Sequence, residues 1–150
     1  MAEDGPVHRF EIDSAWSGDG KGSGQAALPE GAPIAYAGST LLGGSGGRAN
    51  PEELLLTGLA SCFLNTWAIF LKKLGLGYAD PTLRASCEVA SDPAGGFRIH
   101  KASLRVRVPA TLLAGQRAQV EKTVGLAEKY CIVSKVVRAA VPLDVAIEEV

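Results

Sequence analysis

Residues 50–75 read NPEELLLTGLASCFLNTWAIFLKKLG, and the fold turns on how this stretch is understood. Asn50 can accept a hydrogen bond from a free N–H at a helix start, Pro51 suits the first helical position, and Glu53 stands where its carboxylate reaches back to the cap. A helix is therefore predicted from Asn50 to about Leu74, where Gly75 and Gly77 stop it. Residues 54–71, LLLTGLASCFLNTWAIFL, contain no charge. This run is at the lower edge of what spans a bilayer, and Thr57, Ser61, Asn65 and Thr66 interrupt it, so it reads as a buried central helix. Apolar on nearly every side, such a helix has to be wrapped by protein.

Upstream, the periodicity is that of strands. In VHRFEIDSAW, residues 7–16, Phe10, Ile12 and Trp16 fall on one side at period two, as in a half-buried strand. GDGKGSG at 18–24 reads as a hairpin connection, and short strands near Gln25–Leu28 and Ile34–Ala37 complete a meander. GSTLLGGSGG at 38–47 carries too much glycine for regular structure and reads as a mobile loop. Downstream, TLRASCEVAS at 82–91 sets Leu83, Ala85, Cys87 and Val89 against Arg84, Ser86 and Glu88, a strand with one wet face. Residues 97–108 form another, and the shift of its apolar positions from Phe97 and Ile99 to Leu104, Val106 and Val108 calls for a bulge near Lys101. Pro109 ends it. Helices over Leu112–Lys129 and Ile132–Ala139 follow, and VPLDVAIEEV closes the chain with a strand. Strands and helices in segregated runs indicate the α+β class, and 150 residues suffice for one domain, residues 1–150.

Fifteen basic against sixteen acidic side chains give a net charge of −1 with no block of either sign, so neither nucleic acid nor an anionic membrane surface is an expected partner. The start, MAEDGPVHRFEID, is acidic where a secretory signal is basic, and a cytoplasmic location is expected. Three cysteines cannot all pair within one chain, and a reducing compartment does not keep structural disulfides; cysteines that do pair are then redox-active. On position alone Cys62 is a small buried hydrophobe. Cys131, in YCIVSK, stands at a helix start, where free N–H groups and the positive dipole end favour a thiolate. Cys87 lies on the apolar face of its strand and reads as a packed thiol. His8 and His100 are isolated on polar faces, and there is no clustered ligand set, phosphate-binding loop or nucleophile elbow, so no metal or cofactor is expected.

NPEELLLTGLASCF at 50–63 resembles the signature of the OsmC/Ohr family, in which an Asn-Pro-Glu helix start leads to a nucleophilic cysteine ten residues after the first glutamate, the interval from Glu52 to Cys62. KYCIVSKVV at 129–137 resembles the family's second cysteine motif, with Ile132 where proline often follows the cysteine, and WSGDGKGSG at 16–24 is similar to its early hairpin. The resemblance implies an OsmC-like fold, with two antiparallel sheets around long central helices in an intertwined homodimer. It also implies a thiol-dependent peroxidase acting on organic hydroperoxides and reset by an external dithiol, a lipoyl protein or a small thiol. Residue by residue, Cys62 is the peroxidatic thiol, Cys131 the resolving thiol, and Glu52 the carboxylate that orients a guanidinium beside the thiolate. Where the hairpin commonly carries that arginine this chain has Lys21, so Arg48, two residues before the helix cap, is expected to supply most of the charge. Phe63, Trp67 and Phe70 either wall an apolar pocket for the peroxide or pack the core. The alternative from another class is a dimeric OsmC-like stress protein that binds a small apolar ligand without efficient turnover.

Overall fold

Asn50 caps the long helix in both directions: its Oδ1 accepts from the Glu53 N–H at 2.8 Å, and the Glu53 carboxylate accepts from the Asn50 N–H at 3.3 Å. The helix so begun, α1, spans Pro51–Lys73, and Gly75 just beyond it takes a left-handed φ of 69°. The computed structural model describes residues 5–78 and 80–150. They fall into two compact units, one ending at Leu54 and the other covering Leu55–Val150.

The first unit is an antiparallel meander of β1 (Asp13–Ser17), β2 (Ser23–Ala27) and β3 (Ile34–Tyr36). The strand predicted over 7–16 starts only at Asp13, and Phe10 and Ile12 are 88% and 61% exposed. The register gives the reason. Asp13 pairs with Ala27, so the ladder would next run into Leu28 and Pro29, and proline has no N–H to offer. Trp16 is likewise exposed; its ring lies 6.0 Å from that of Tyr36, and its Nε1 donates to the Asp19 carbonyl at 2.9 Å.

The glycine-rich segment 38–47 is hydrogen-bonded and not the mobile loop its composition suggests. A 3-10 turn occupies Thr40–Leu42, and the N–H groups of Gly44 and Gly46 donate to the carbonyls of Ser39 and Gly38 at 2.8 and 3.0 Å. A Cβ on Gly44 would lie 2.2 Å from the Gly38 carbonyl, so glycine here permits close backbone approach.

In the second unit β4 (Thr82–Ser91) pairs antiparallel with β5 (Phe97–Val108), and β5 pairs parallel with β6 (Leu143–Glu149). This sheet is therefore mixed, where antiparallel pairing throughout was expected. The cause is the connection: α2 (Ala110–Tyr130) and α3 (Ile132–Ala140) separate β5 from β6, and a crossover of that length brings the chain back in the same direction. The expected bulge falls at His100, since Glu88 faces Lys101 while Val89 faces Ile99.

Along α1, Leu59, Phe63, Trp67 and Leu71 recur every four residues and form one buried stripe. They share a core with Leu104, Val106 and Val108 of β5 and with Val120 and Val124 of α2. The buried Trp67 Nε1 donates to Thr123 Oγ1 at 3.0 Å, so its polar atom is satisfied. Phe63 and Trp67 are thus core residues. Among the described residues α1 is the one helix long and apolar enough to cross a membrane. Outside its buried stripe it leaves Leu55 and Ile69 exposed, so one chain does not wrap it on all sides as its composition demands.

Candidate functional site

Cys62 lies on α1 three residues after Leu59 and one turn before Thr66, so the helix that anchors the core also fixes the thiol. The Thr66 hydroxyl donates to the Cys62 carbonyl at 2.8 Å. Cys131 is the corner between two helices: it is the C-cap of α2, with its N–H bonded to the Ala127 carbonyl, and also the N-cap of α3, with its sulfur accepting from the Ser134 N–H at 3.4 Å. Cys131 itself is buried, and its thiol stands within hydrogen-bonding reach of Cys62. Both sulfurs are free thiols.

Burial pushes the Cys62 thiol up, but hydrogen bonds to its thiolate from the Val133 N–H, the Cys131 thiol, the Ile132 N–H and the Thr66 hydroxyl outweigh it and leave it below the ordinary thiol value. Ile132 and Val133 open α3, so the two backbone donors are among those that a helix start leaves unpaired. Burial is also the largest influence on Cys131. Its bonds from the Ser134 hydroxyl and N–H lower it, the neighbouring Cys62 raises it, and the net direction is upward. The start of α3 was expected to favour a thiolate at Cys131; in the structure its first N–H groups serve Cys62. The reason is geometric: an N-cap side chain folds back toward the third helical N–H, leaving the first two directed outward at whatever packs there.

The other predicted site residues belong to the first unit. Lys21 and Glu52 line one depression of about 460 Å³ together with Asp19, Ser39 and Gly43. Lys21 Nζ donates to the Gly43 carbonyl at 3.2 Å, and Glu52 Oε2 is buried without a hydrogen-bond partner. Arg48 is exposed, does not line this depression and forms no ion pair among the described residues. Phe70 stacks near Tyr130, ring centres 5.6 Å apart. Cys87 lines a separate apolar cavity of about 310 Å³ in the second unit, with Leu55, Leu59, Ile99, Val137 and Val141. No group of three or more metal-ligating side chains occurs among the described residues.

Thr66 and Ser134 did not emerge from the sequence. The available signal was their placement, a hydroxyl one turn after a helical cysteine and another three residues after a helix-capping one, positions where Ser and Thr turn toward nearby polar groups.

A family model described as OsmC-like protein matches residues 44–146. Among solved structures, an organic hydroperoxide resistance protein from Legionella pneumophila is similar with a TM-score of 0.74 at 21% identity, over 95% of this chain and 99% of that one. An OsmC-like protein from Mycoplasma pneumoniae gives a TM-score of 0.79 at 16% identity, over 95% and 98%. The organic hydroperoxide resistance protein OhrB of Bacillus subtilis gives 0.68 at 20%, over 93% and 98%. At these identities the likeness is one of fold. No curated protein matches the chain.

Proposed function

The chain belongs to the OsmC-like protein family, and we propose that it is a thiol-dependent peroxidase that reduces organic hydroperoxides through Cys62 and Cys131. The observation that carries this reading is the pairing of two free thiols of opposite tendency, Cys62 drawn toward the thiolate and Cys131 held as a thiol that donates to it. A peroxidatic cysteine has to be a thiolate to attack an O–O bond, and its partner has to stay protonated until a sulfenic acid forms. In the first step Cys62 Sγ bonds to the terminal peroxide oxygen, the O–O bond breaks, and the alkoxide leaves as an alcohol after taking a proton. In the second, Cys131 Sγ bonds to Cys62 Sγ, the S–O bond breaks, and water departs. An external dithiol then reduces the disulfide and is itself oxidised to a disulfide.

We assign Glu52 to orient the cation that faces the thiolate, Arg48 before Lys21. Ten residues of one α-helix span about 15 Å, so Glu52 and Cys62 of a single chain are too far apart along α1 to act on one sulfur. A homodimer, in which the second copy supplies that carboxylate, is part of the proposal. The exposed apolar side of α1 supports it.

One observation favours a second reading: a protein that binds a small apolar ligand without turnover would use the cavity beside Cys87, whose lining is almost wholly aliphatic. The two are separated by adding an alkyl hydroperoxide and a dithiol to the reduced protein. Turnover is expected, with Cys62→Ser inactive and with mass spectrometry of protein oxidised before the dithiol is added finding Cys62 linked to Cys131. Peroxide that survives stoichiometric protein, with both thiols intact, would reject the enzyme.

A further inference from the structure

The residue that holds the α2–α3 corner is Ser134. Its side chain is completely buried, which is costly for a hydroxyl unless it is bonded. Ser134 Oγ lies 3.1 Å from the carbonyl of Glu128, in the last turn of α2, and 3.1 Å from the carbonyl of Cys131 itself. The first of these carbonyls is one that a helix end leaves without an intrahelical donor. The Ser134 N–H meets the Cys131 sulfur at 3.4 Å. Across the outside of the same corner Arg138 of α3 pairs with the Glu128 carboxylate of α2. Ile132, next to Cys131, is 72% exposed and adds no ring constraint to the turn.

Resting on the peroxidase reading above, we propose that Ser134 is a positioning residue for the resolving step: its buried hydroxyl staples the end of α2 to the start of α3 and so keeps the Cys131 sulfur aimed at Cys62. Disulfide formation tolerates only a narrow range of Cα and Cβ separations. A corner free to hinge lowers the fraction of time Cys131 is in range and also draws the Ile132 and Val133 N–H donors away from Cys62, so both steps slow. Only the fate of the sulfenic acid once formed reports how well Cys131 is aimed. Sulfenic acid that waits longer is oxidised further to sulfinic acid by a second peroxide, its sulfur gaining one oxygen as that peroxide becomes alcohol.

The test is a peroxide titration of the reduced full chain after removal of dithiol, comparing wild type, Ser134→Ala and Ser134→Thr. Two quantities are read: the rate of consumption of the first peroxide equivalent, and the ratio of Cys62 sulfinic acid to Cys62–Cys131 disulfide by mass spectrometry. Ser134→Ala is expected to slow the first equivalent, because the loosened corner also carries donors to Cys62, and to raise the ratio several-fold, with Ser134→Thr, which keeps the hydroxyl, restoring the wild-type ratio. An unchanged ratio in Ser134→Ala overturns the proposal and leaves the peroxidase reading standing. Wild type that forms no Cys62–Cys131 disulfide overturns both. If Ser134→Ala does not fold, Arg138→Ala decides, since it cuts the outer tie of the same corner at an accessible position: a raised ratio supports the stapled corner, and an unchanged one rejects it.

Discussion

Cys62 sits inside an apolar helix, where burial opposes ionisation, and donors from α3 and from Thr66 reverse that balance. The sign follows directly. A thiol held below its ordinary value of about 8.5 is more fully ionised at neutral pH, so alkylation of Cys62 is expected to reach half its maximal rate at a lower pH than that of a free cysteine. Thr66→Val removes one donor and nearly preserves shape, and should move that midpoint upward, while Cys131, raised by burial, alkylates only at higher pH. Iodoacetamide labelling against pH, with each cysteine followed by its own peptide, measures this. A Cys62 profile unmoved by Thr66→Val would remove the hydroxyl from the account.

At the scale of elements, α1 and α2 are joined by a polar contact inside an apolar seam: Trp67 Nε1 donates to Thr123 Oγ1, and that hydroxyl donates onward to the Val120 carbonyl at 2.7 Å. Thr123→Val keeps the shape and strands a buried indole N–H, which costs about 1–3 kcal/mol. Urea denaturation is expected to show that loss, and Thr123→Ser to recover most of it. Equal stability of the Val variant would mean that water replaces the hydroxyl. Boundaries at this scale were largely legible. The cap at Asn50, the stop after Lys73 and the bulge in β5 follow from local rules about donors, glycine and side-chain alternation. The start of β1 was not, because alternation in residues 7–12 says nothing about whether a partner strand extends that far.

For the whole molecule the expected state is a homodimer, because α1 carries more apolar surface than one chain covers. Sedimentation at micromolar concentration should give twice the chain mass; a well-folded monomer would leave Leu55 and Ile69 without a covering surface and would reject a second copy as the source of the carboxylate. The α+β class was readable from the segregated runs of strand and helix periodicity, the central helix from residues 50–75 and the family from residues 50–63 and 129–137, since alternation, capping chemistry, a charge-free run and the spacing of a cysteine from a helix start are properties of neighbouring positions. Which sulfur the start of α3 would favour was not readable. The 68 residues that follow Cys62 before Cys131 contain no local pattern that records where α3 points, and only long-range packing of α1, α2 and α3 around one core brings the Ile132 and Val133 N–H groups onto Cys62.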